Sequence, residues 1–345
     1  MNPDMVVEIR DLAIGYKTSP KRAIEIAAGI DVSLVAGEFV CLLGPNGAGK
    51  STLIRTMTGI QPALRGGVLL GGKPVASYDV RQLAQRLSLV LTQRVAVGMM
   101  RVVTLVSLGR HPYTDWTGRL TEQDEKAVWQ AIADVGIEDL AQRPVCELSD
   151  GERQKAMIAR ALAQEPQVMI LDEATAFLDL PRRVELMQLL RRLARASGRA
   201  ILLSTHDLDL ALRNADRLWL LAAGGEFQHG APEDLVLSDA FAATFADAGV
   251  KFDKGTGAFA SDHEQRGAIS IVGSGVPAMW TYRALERAGY RIVPEDEAFV
   301  SVEVGCENGR IAWRIDRCRD KECRSVEELL STLRTCDPML SEAIQ

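Results

Sequence analysis

No apolar run in this chain reaches the ~18 residues that a membrane-spanning helix needs, so any work at a membrane is expected to pass through a partner. The opening residues, Met1 to Asp11, hold Asp4, Glu8 and Asp11 and no uninterrupted apolar stretch, which argues against a signal or transit peptide. Positive charge is not in surplus either. Forty Lys and Arg stand against 46 Asp and Glu, a net charge of -6, which speaks against non-specific grip on nucleic-acid phosphates. Cysteines number only six, and without a secretion signal they read as reduced thiols of a cytosolic protein. No internal repeat, heptad array or second phosphate-binding loop is visible.

What remains is an ordinary globular composition, 47% hydrophobic and 25% charged, over 345 residues. That is enough for one large domain and a small one. Phe39 to Leu43, Val168 to Leu171 and Ala200 to Ser204 are short apolar runs bounded by turn residues, as expected of buried strands in a largely parallel sheet covered by helices. Between Thr121 and Arg160 the apolar spacing becomes helical, with Ala127, Ala131, Ile132 and Val135 on one face. Chemistry in such folds gathers at the carboxyl ends of the strands.

Two motifs fall there. Gly44-Pro45-Asn46-Gly47-Ala48-Gly49-Lys50-Ser51, continued by Thr52, fits the phosphate-loop pattern between a strand and a helix. Its glycines let backbone N–H groups turn inward, and the following helix aims its positive end at the phosphates. Lys50 is expected to neutralise phosphate charge and Ser51 to ligate Mg²⁺. Further on, the strand Val168 to Leu171 ends in Asp172-Glu173. Asp172 suits Mg²⁺ held through water, and Glu173 suits a base for the attacking water, because phosphoryl transfer needs positioning and charge stabilisation above all.

The chain here resembles the ATP-binding-cassette (ABC) family, whose remaining motifs follow in family order over the first 247 or so residues. Leu148-Ser149-Asp150-Gly151-Glu152 resembles the signature that opens a helix and meets ATP held by the opposite subunit, through Ser149 and Gly151. The resemblance implies that Gln93 senses the nucleotide and helps hold Mg²⁺, that Leu178-Asp179 links the two sites of a dimer, that His206 contacts the γ-phosphate, and that Tyr16 stacks on adenine. Asp150 and Glu152 replace the usual Gly and Gln, which places two carboxylates near an expected phosphate unless they turn away or cap their own helix. Ala174 stands where Pro is usual. Leu108-Gly109-Arg110-His111-Pro112-Tyr113, with Gly118-Arg119-Leu120-Thr121 and Asp124, is similar to the cassettes of importers for ferric siderophores, haem and cobalamin.

The implied fold is therefore an α/β P-loop NTPase cassette, a mixed-sheet core plus a helical subdomain, with a small C-terminal α/β domain. The expected divisions are a nucleotide-binding domain over 1–247 with its helical subdomain at about 94–160, a linker over 248–267 and the small domain over 268–345. The implied cofactors are ATP and Mg²⁺. The implied partners are a second copy, polytopic permease subunits and, indirectly, a periplasmic or lipoprotein binding protein, at the inner face of the cell membrane and without nucleic acid. A soluble cassette acting on nucleic acid, another transporter type and a non-hydrolysing nucleotide sensor are the alternatives.

In the last part, Ala268 to Val272 reads as a strand and Ala278 to Ala288 as a helix stopped by Gly289, while Asn308-Gly309 marks a hairpin turn between Ala298 to Cys306 and Arg310 to Ile315. Gly273-Ser274-Gly275-Val276-Pro277-Ala278, with Glu295 to Glu297 about 20 residues on, resembles a dinucleotide fingerprint, yet one strand-helix-strand unit is too little for that fold, and a docking or regulatory module is the plainer expectation. Ser325 and Glu328 have the spacing of a capping box. Cys306, Cys318, Cys323 and Cys336 lack any C-x₂-C pair and are expected to be ordinary thiols rather than metal ligands.

Overall fold

A computed structural model describes residues 5–19, 22–91, 98–246, 250–254, 258–261, 266–307, 310–316 and 322–341. The chain divides into two compact units, Met1–Ala260 and Ser261–Gln345. The first unit contributes β1 (Met5–Ser19), β2 (Arg22–Val35), β3 (Phe39–Leu43), β4 (Arg65–Leu70), β5 (Lys73–Pro74), β6 (Leu87–Leu91), β7 (Val168–Asp172), β8 (Ala200–Ser204), β9 (Arg217–Leu221) and β10 (Phe227–Gly230). Its helices are α1 (Lys50–Met57), α2 (Val80–Ala84), α3 (Val102–Ser107), α4 (Glu122–Val135), α5 (Asp150–Ala163), α6 (Leu180–Ser197), α7 (Leu208–Asn214), α8 (Pro232–Leu237) and α9 (Ala240–Phe245).

Six strands form one sheet in the order β10-β9-β3-β8-β7-β6, all parallel except the edge strand β10. Four others form an antiparallel sheet, β2-β1-β4-β5. Every residue of β3 and β8 is buried, which is why these stretches read as unbroken apolar runs. The two faces of β3 serve different cores. Phe39, Cys41 and Leu43 join a core with α3 to α6, whereas Val40 and Leu42 join a second core with α1 and the antiparallel sheet. A strand's side chains alternate in direction, so one strand can bind two layers together.

The helical region opens at α3, ahead of the stretch whose periodicity was visible in the sequence. Its α4 is closed at both ends by local chemistry. Thr121 and Asp124 form a reciprocal capping box, and Gly136 takes the left-handed conformation at the C-cap with φ 68°. Val128, Ala131, Ile132 and Val135 form its buried stripe, while Ala127 is half-buried.

The expected linker contains paired strands. β11 (Val250–Asp253) and β12 (Ala258–Ser261) make a two-stranded sheet, and Phe252 lies against Phe241 of α9 with ring centroids 4.9 Å apart.

The second unit runs β13 (Gly267–Val272), α10 (Gly275–Arg287), β14 (Tyr290–Ile292), β15 (Val300–Glu307), β16 (Arg310–Ile315), β17 (Glu322–Cys323) and α11 (Val326–Ser341), with strand order β14-β13-β15-β16-β17. It has a core of its own, including Ile269, Leu285, Val302, Trp313, Leu329 and Leu333. Trp313 is buried with its indole Nε1 donating to Thr281 Oγ1 at 2.6 Å, so the ring brings no unsatisfied donor into the core. β15 and β16 pair antiparallel as the hairpin reading expects, although Asn308-Gly309 itself lies outside the described residues. The capping box is half made: Ser325 Oγ accepts from Glu328 N at 3.1 Å, but Glu328 returns to Arg324 N rather than to Ser325. Cys323 is buried beside Thr332, and the side chains of Cys306, Cys318 and Cys336 lie outside the described residues. Among the described residues no helix is long and apolar enough to cross a membrane.

Candidate functional site

The phosphate loop hangs between β3 and α1. At Gly44 a Cβ would lie 2.1 Å from the carbonyl oxygen of Leu221, and at Gly49, whose φ is 107°, it would meet Ile26 at 2.5 Å. Only glycine lets the backbone turn this tightly, and within the loop the Ala48 N–H donates to Pro45 O at 3.3 Å. Lys50 lies across the loop, its Nζ donating to Gly44 O at 2.8 Å and Pro45 O at 3.0 Å. Burial pulls its pKa down, while the nearby charges of Glu173 and Asp172 push it up. Tyr16 is joined to the same helix, its hydroxyl 2.8 Å from Thr52 Oγ1, and much of its ring is exposed.

Asp172 closes β7, paired with Ser204 at the end of β8. Glu173 then takes a left-handed backbone, φ 52°, which is costly for a residue with a side chain and is held by its N–H donating to Ser204 O at 3.0 Å. The turn brings its carboxylate to His206, Oε1 to Nε2 2.9 Å. Beneath the pair, Thr175 Oγ1 and Thr205 Oγ1 meet at 3.0 Å in the interior. Sequence reading missed these threonines, because only the pairing of β7 with β8 makes them neighbours.

A separate set gathers at the starts of α5 and α6. Ser149 is the N-cap of α5 in a full capping box. Its hydroxyl donates to Glu152 Oε2 at 2.7 Å, its N–H donates to the same oxygen at 2.8 Å, and its Oγ accepts from Glu152 N at 3.3 Å. These bonds hold the Glu152 carboxyl below the usual carboxylate range. The unusual acid therefore caps its own helix, which resolves one of the two charges that stood near the expected phosphate. Asp179 is likewise the N-cap of α6, accepting from Arg182 N at 3.0 Å, and Arg182 lies 3.4 Å from where a Cβ on Gly151 would stand. Glu185 bridges the two helices, to Lys155 at 2.5 Å and Arg182 at 2.8 Å. Gln93 lies outside the described residues.

The importer-like stretch turns partly inward. Arg110 is buried, with Nε to Asp124 Oδ1 at 2.8 Å, Nη1 to Ala163 O at 2.7 Å and to Glu165 Oε2 at 2.6 Å, and its guanidinium 3.9 Å from the Tyr113 ring centroid. The Tyr113 hydroxyl donates to Gln164 O at 3.0 Å. Leu108 and His111, by contrast, are exposed, and Trp116 is 96% exposed. Much of this motif is thus a brace across α4 and the end of α5.

A family profile described as ABC transporter matches residues 27–176, and one described as iron ABC transporter C-terminal domain matches residues 266–334. An uncharacterized ABC transporter ATP-binding protein of Methanocaldococcus jannaschii is 43% identical over 67% of this chain and 78% of its own length. The ferric enterobactin transport ATP-binding protein of Escherichia coli is 37% identical over 62% of this chain and 79% of its own. The cobalamin import ATP-binding protein of Halobacterium salinarum is 37% identical over 75% and 67%. Among solved structures, cbiO1 from Clostridium perfringens, part of the ABC transporter complex cbiONQ, is 29% identical with a TM-score of 0.61 over 70% of this chain and 94% of that one. The chain belongs to the ATP-binding subunits of ABC transporters. Within them it is an ATPase of the group whose relatives serve iron-siderophore and cobalamin import, and its second unit is an iron ABC transporter C-terminal domain.

Proposed function

We propose that two copies of this chain enclose two ATP molecules and drive the import of an iron complex or cobalamin through polytopic permease subunits, at the inner face of the cell membrane, with a binding protein delivering the cargo. The observation that carries this reading is the convergence of the Lys50 loop, Asp172, Glu173 and His206 at the carboxyl ends of β3, β7 and β8.

In this reading Gly44, Asn46, Gly47, Ala48 and Gly49 offer backbone N–H groups to the phosphates, Pro45, which has no N–H, shapes the turn between them, Lys50 supplies the cation, Thr52 anchors Tyr16, and Tyr16 stacks on adenine. The donors suit a hard cation: Ser51, Asp172 and Gln93 would hold Mg²⁺, which when bound draws charge from the phosphate oxygens. Glu173 orients water and accepts its proton, and His206, 2.9 Å from that carboxylate, holds the γ-phosphate side of the site. Ser149 and Gly151 reach the ATP of the second copy, and Asp179 lies between the two sites. Ser149 would first have to release Glu152, whose bonds now engage its hydroxyl.

The cassette over 1–247, the connector over 248–267 and the module over 268–345 form the proposed division, with the module tuning transport. Because Phe252 lies on Phe241, a truncation that spares the cassette belongs after Ser261 rather than near Asp247.

The test is ATP turnover and binding by Lys50→Ala and Glu173→Gln. Lys50→Ala should lose tight ATP binding, and Glu173→Gln should bind ATP, dimerise and turn over at least ~100-fold more slowly. Wild-type turnover by Glu173→Gln would overturn the assignment.

A further inference from the structure

We infer that Arg183 is a positioning residue for ATP hydrolysis, tying the turn at residues 177–179 to His206. The inference rests on the reading of Glu173 and His206 as the hydrolytic pair. Arg183 stands in the first turn of α6, its N–H bonded to Asp179 O at 2.9 Å. From there the guanidinium folds back over two acceptors. Nε donates to Leu178 O at 2.7 Å, and Nη1 reaches Asp207 Oδ2 at 3.3 Å. Asp207 directly follows His206, and its own N–H donates to Thr205 Oγ1 at 3.1 Å. Thr205 in turn meets Thr175, two residues beyond Glu173.

Hydrogen bonds therefore run from the turn through Arg183 to Asp207, the residue after His206, and on through Thr205 to Thr175, two residues beyond Glu173. At one end Leu178 is anchored in the core, while Phe177 beside it is 68% exposed at φ 68° and Leu180 is 63% exposed. At the other end Asp207 is mostly shielded, with its side chain 16% exposed. A planar guanidinium can serve two fixed acceptors at once, which an ammonium on a flexible stem does poorly. Seating Phe177 and Leu180 on a second copy would fix the Leu178 carbonyl, and through Arg183 that would fix Asp207 and the imidazole next to it. Misplacing a reacting group by about 1 Å can cost as much as 100-fold in rate, so even a loose link here is consequential.

The experiment uses the full-length chain and measures kcat, KM for ATP and melting temperature for Arg183→Met, Arg183→Lys, Asp207→Asn, His206→Ala and the double variants Arg183→Met with His206→Ala and Arg183→Met with Asp207→Asn. Arg183→Met should lower kcat about 10-fold with KM and melting temperature close to wild type. Arg183→Lys should restore less than half of the loss. Asp207→Asn reads the same link from its other end, and adding Arg183→Met to it should cost nothing more. In the His206→Ala background Arg183→Met should likewise have no further effect. A kcat within about twofold of wild type for Arg183→Met, or a full additional loss on top of His206→Ala, would overturn the inference. Unchanged kcat in His206→Ala alone would instead overturn the site reading on which it rests.

Discussion

Replacing Arg110 by Met should destabilise the first unit by about 3–5 kcal/mol, because it strips one partner from a buried ion pair and leaves the other charge behind. Both side chains of the pair are nearly inaccessible, 2% exposed for Arg110 and 6% for Asp124. After the change Asp124 would keep only its bonds from Thr121, at 2.9 and 2.7 Å, while Ala163 O and Glu165 would each lose a donor. For a unit of this size 1 kcal/mol corresponds to about 2–4 °C, so melting should fall by roughly 6–20 °C. Removing both charges in Arg110→Met with Asp124→Asn should recover part of that loss. The pH dependence follows from the same pair. Burial would raise the Asp124 carboxyl, but the bonds from Thr121 and Arg110 outweigh it and hold the group below its usual range. The unfolded chain takes up this proton near pH 4 and the folded chain only below that. The contribution is therefore complete above about pH 5 and lost as pH falls through the depressed folded value. Thermal melts followed by circular dichroism between pH 3 and 7 read both effects. A melting temperature within about 2 °C of wild type at pH 7 for Arg110→Met would refute the reasoning.

Gly44→Ala should weaken ATP binding at least ~10-fold in equilibrium titrations, because the new methyl would sit 2.1 Å from a backbone oxygen that cannot swing aside; unchanged affinity would mean that the loop has another route. Ser149→Ala should cost about 1 kcal/mol in urea denaturation through loss of the N-cap, and should let the Glu152 carboxyl rise toward its ordinary value in an NMR titration. Cys41 is fully buried and its thiol is pushed far up by burial, so alkylation of the folded protein at pH 8 should label the exposed Cys146 and spare Cys41 in peptide maps.

Legibility in the sequence followed locality. The phosphate loop, the Asp172-Glu173 end of β7 and the strands β3 and β8 are contiguous words whose chemistry is written in a few residues. The antiparallel sheet of β1, β2, β4 and β5 left a weaker trace, since β1 and β2 pair with repeated register shifts that break clean alternation. Arg110 stands in the stretch that is similar to importer cassettes. Its burial depends on Asp124, Ala163 and Glu165, residues up to 55 positions away. Arg183 belongs to none of the motifs read from the sequence, and nothing short of the fold brings Leu178 and Asp207 to it. Glu152 was legible as an anomaly, and the capping box supplied its physical reason.

Since β3 lends alternate residues to both cores, the first unit has no way to lose one layer and keep the other with this strand intact. Backbone amides of Val40, Cys41 and Leu42 should therefore exchange with solvent only when the whole unit opens. The phosphate loop begins one residue after this strand, so one of its two anchors belongs to the slowest-exchanging part of the unit. Mutations that loosen either layer, however far from the nucleotide, would be felt in common at this one seam.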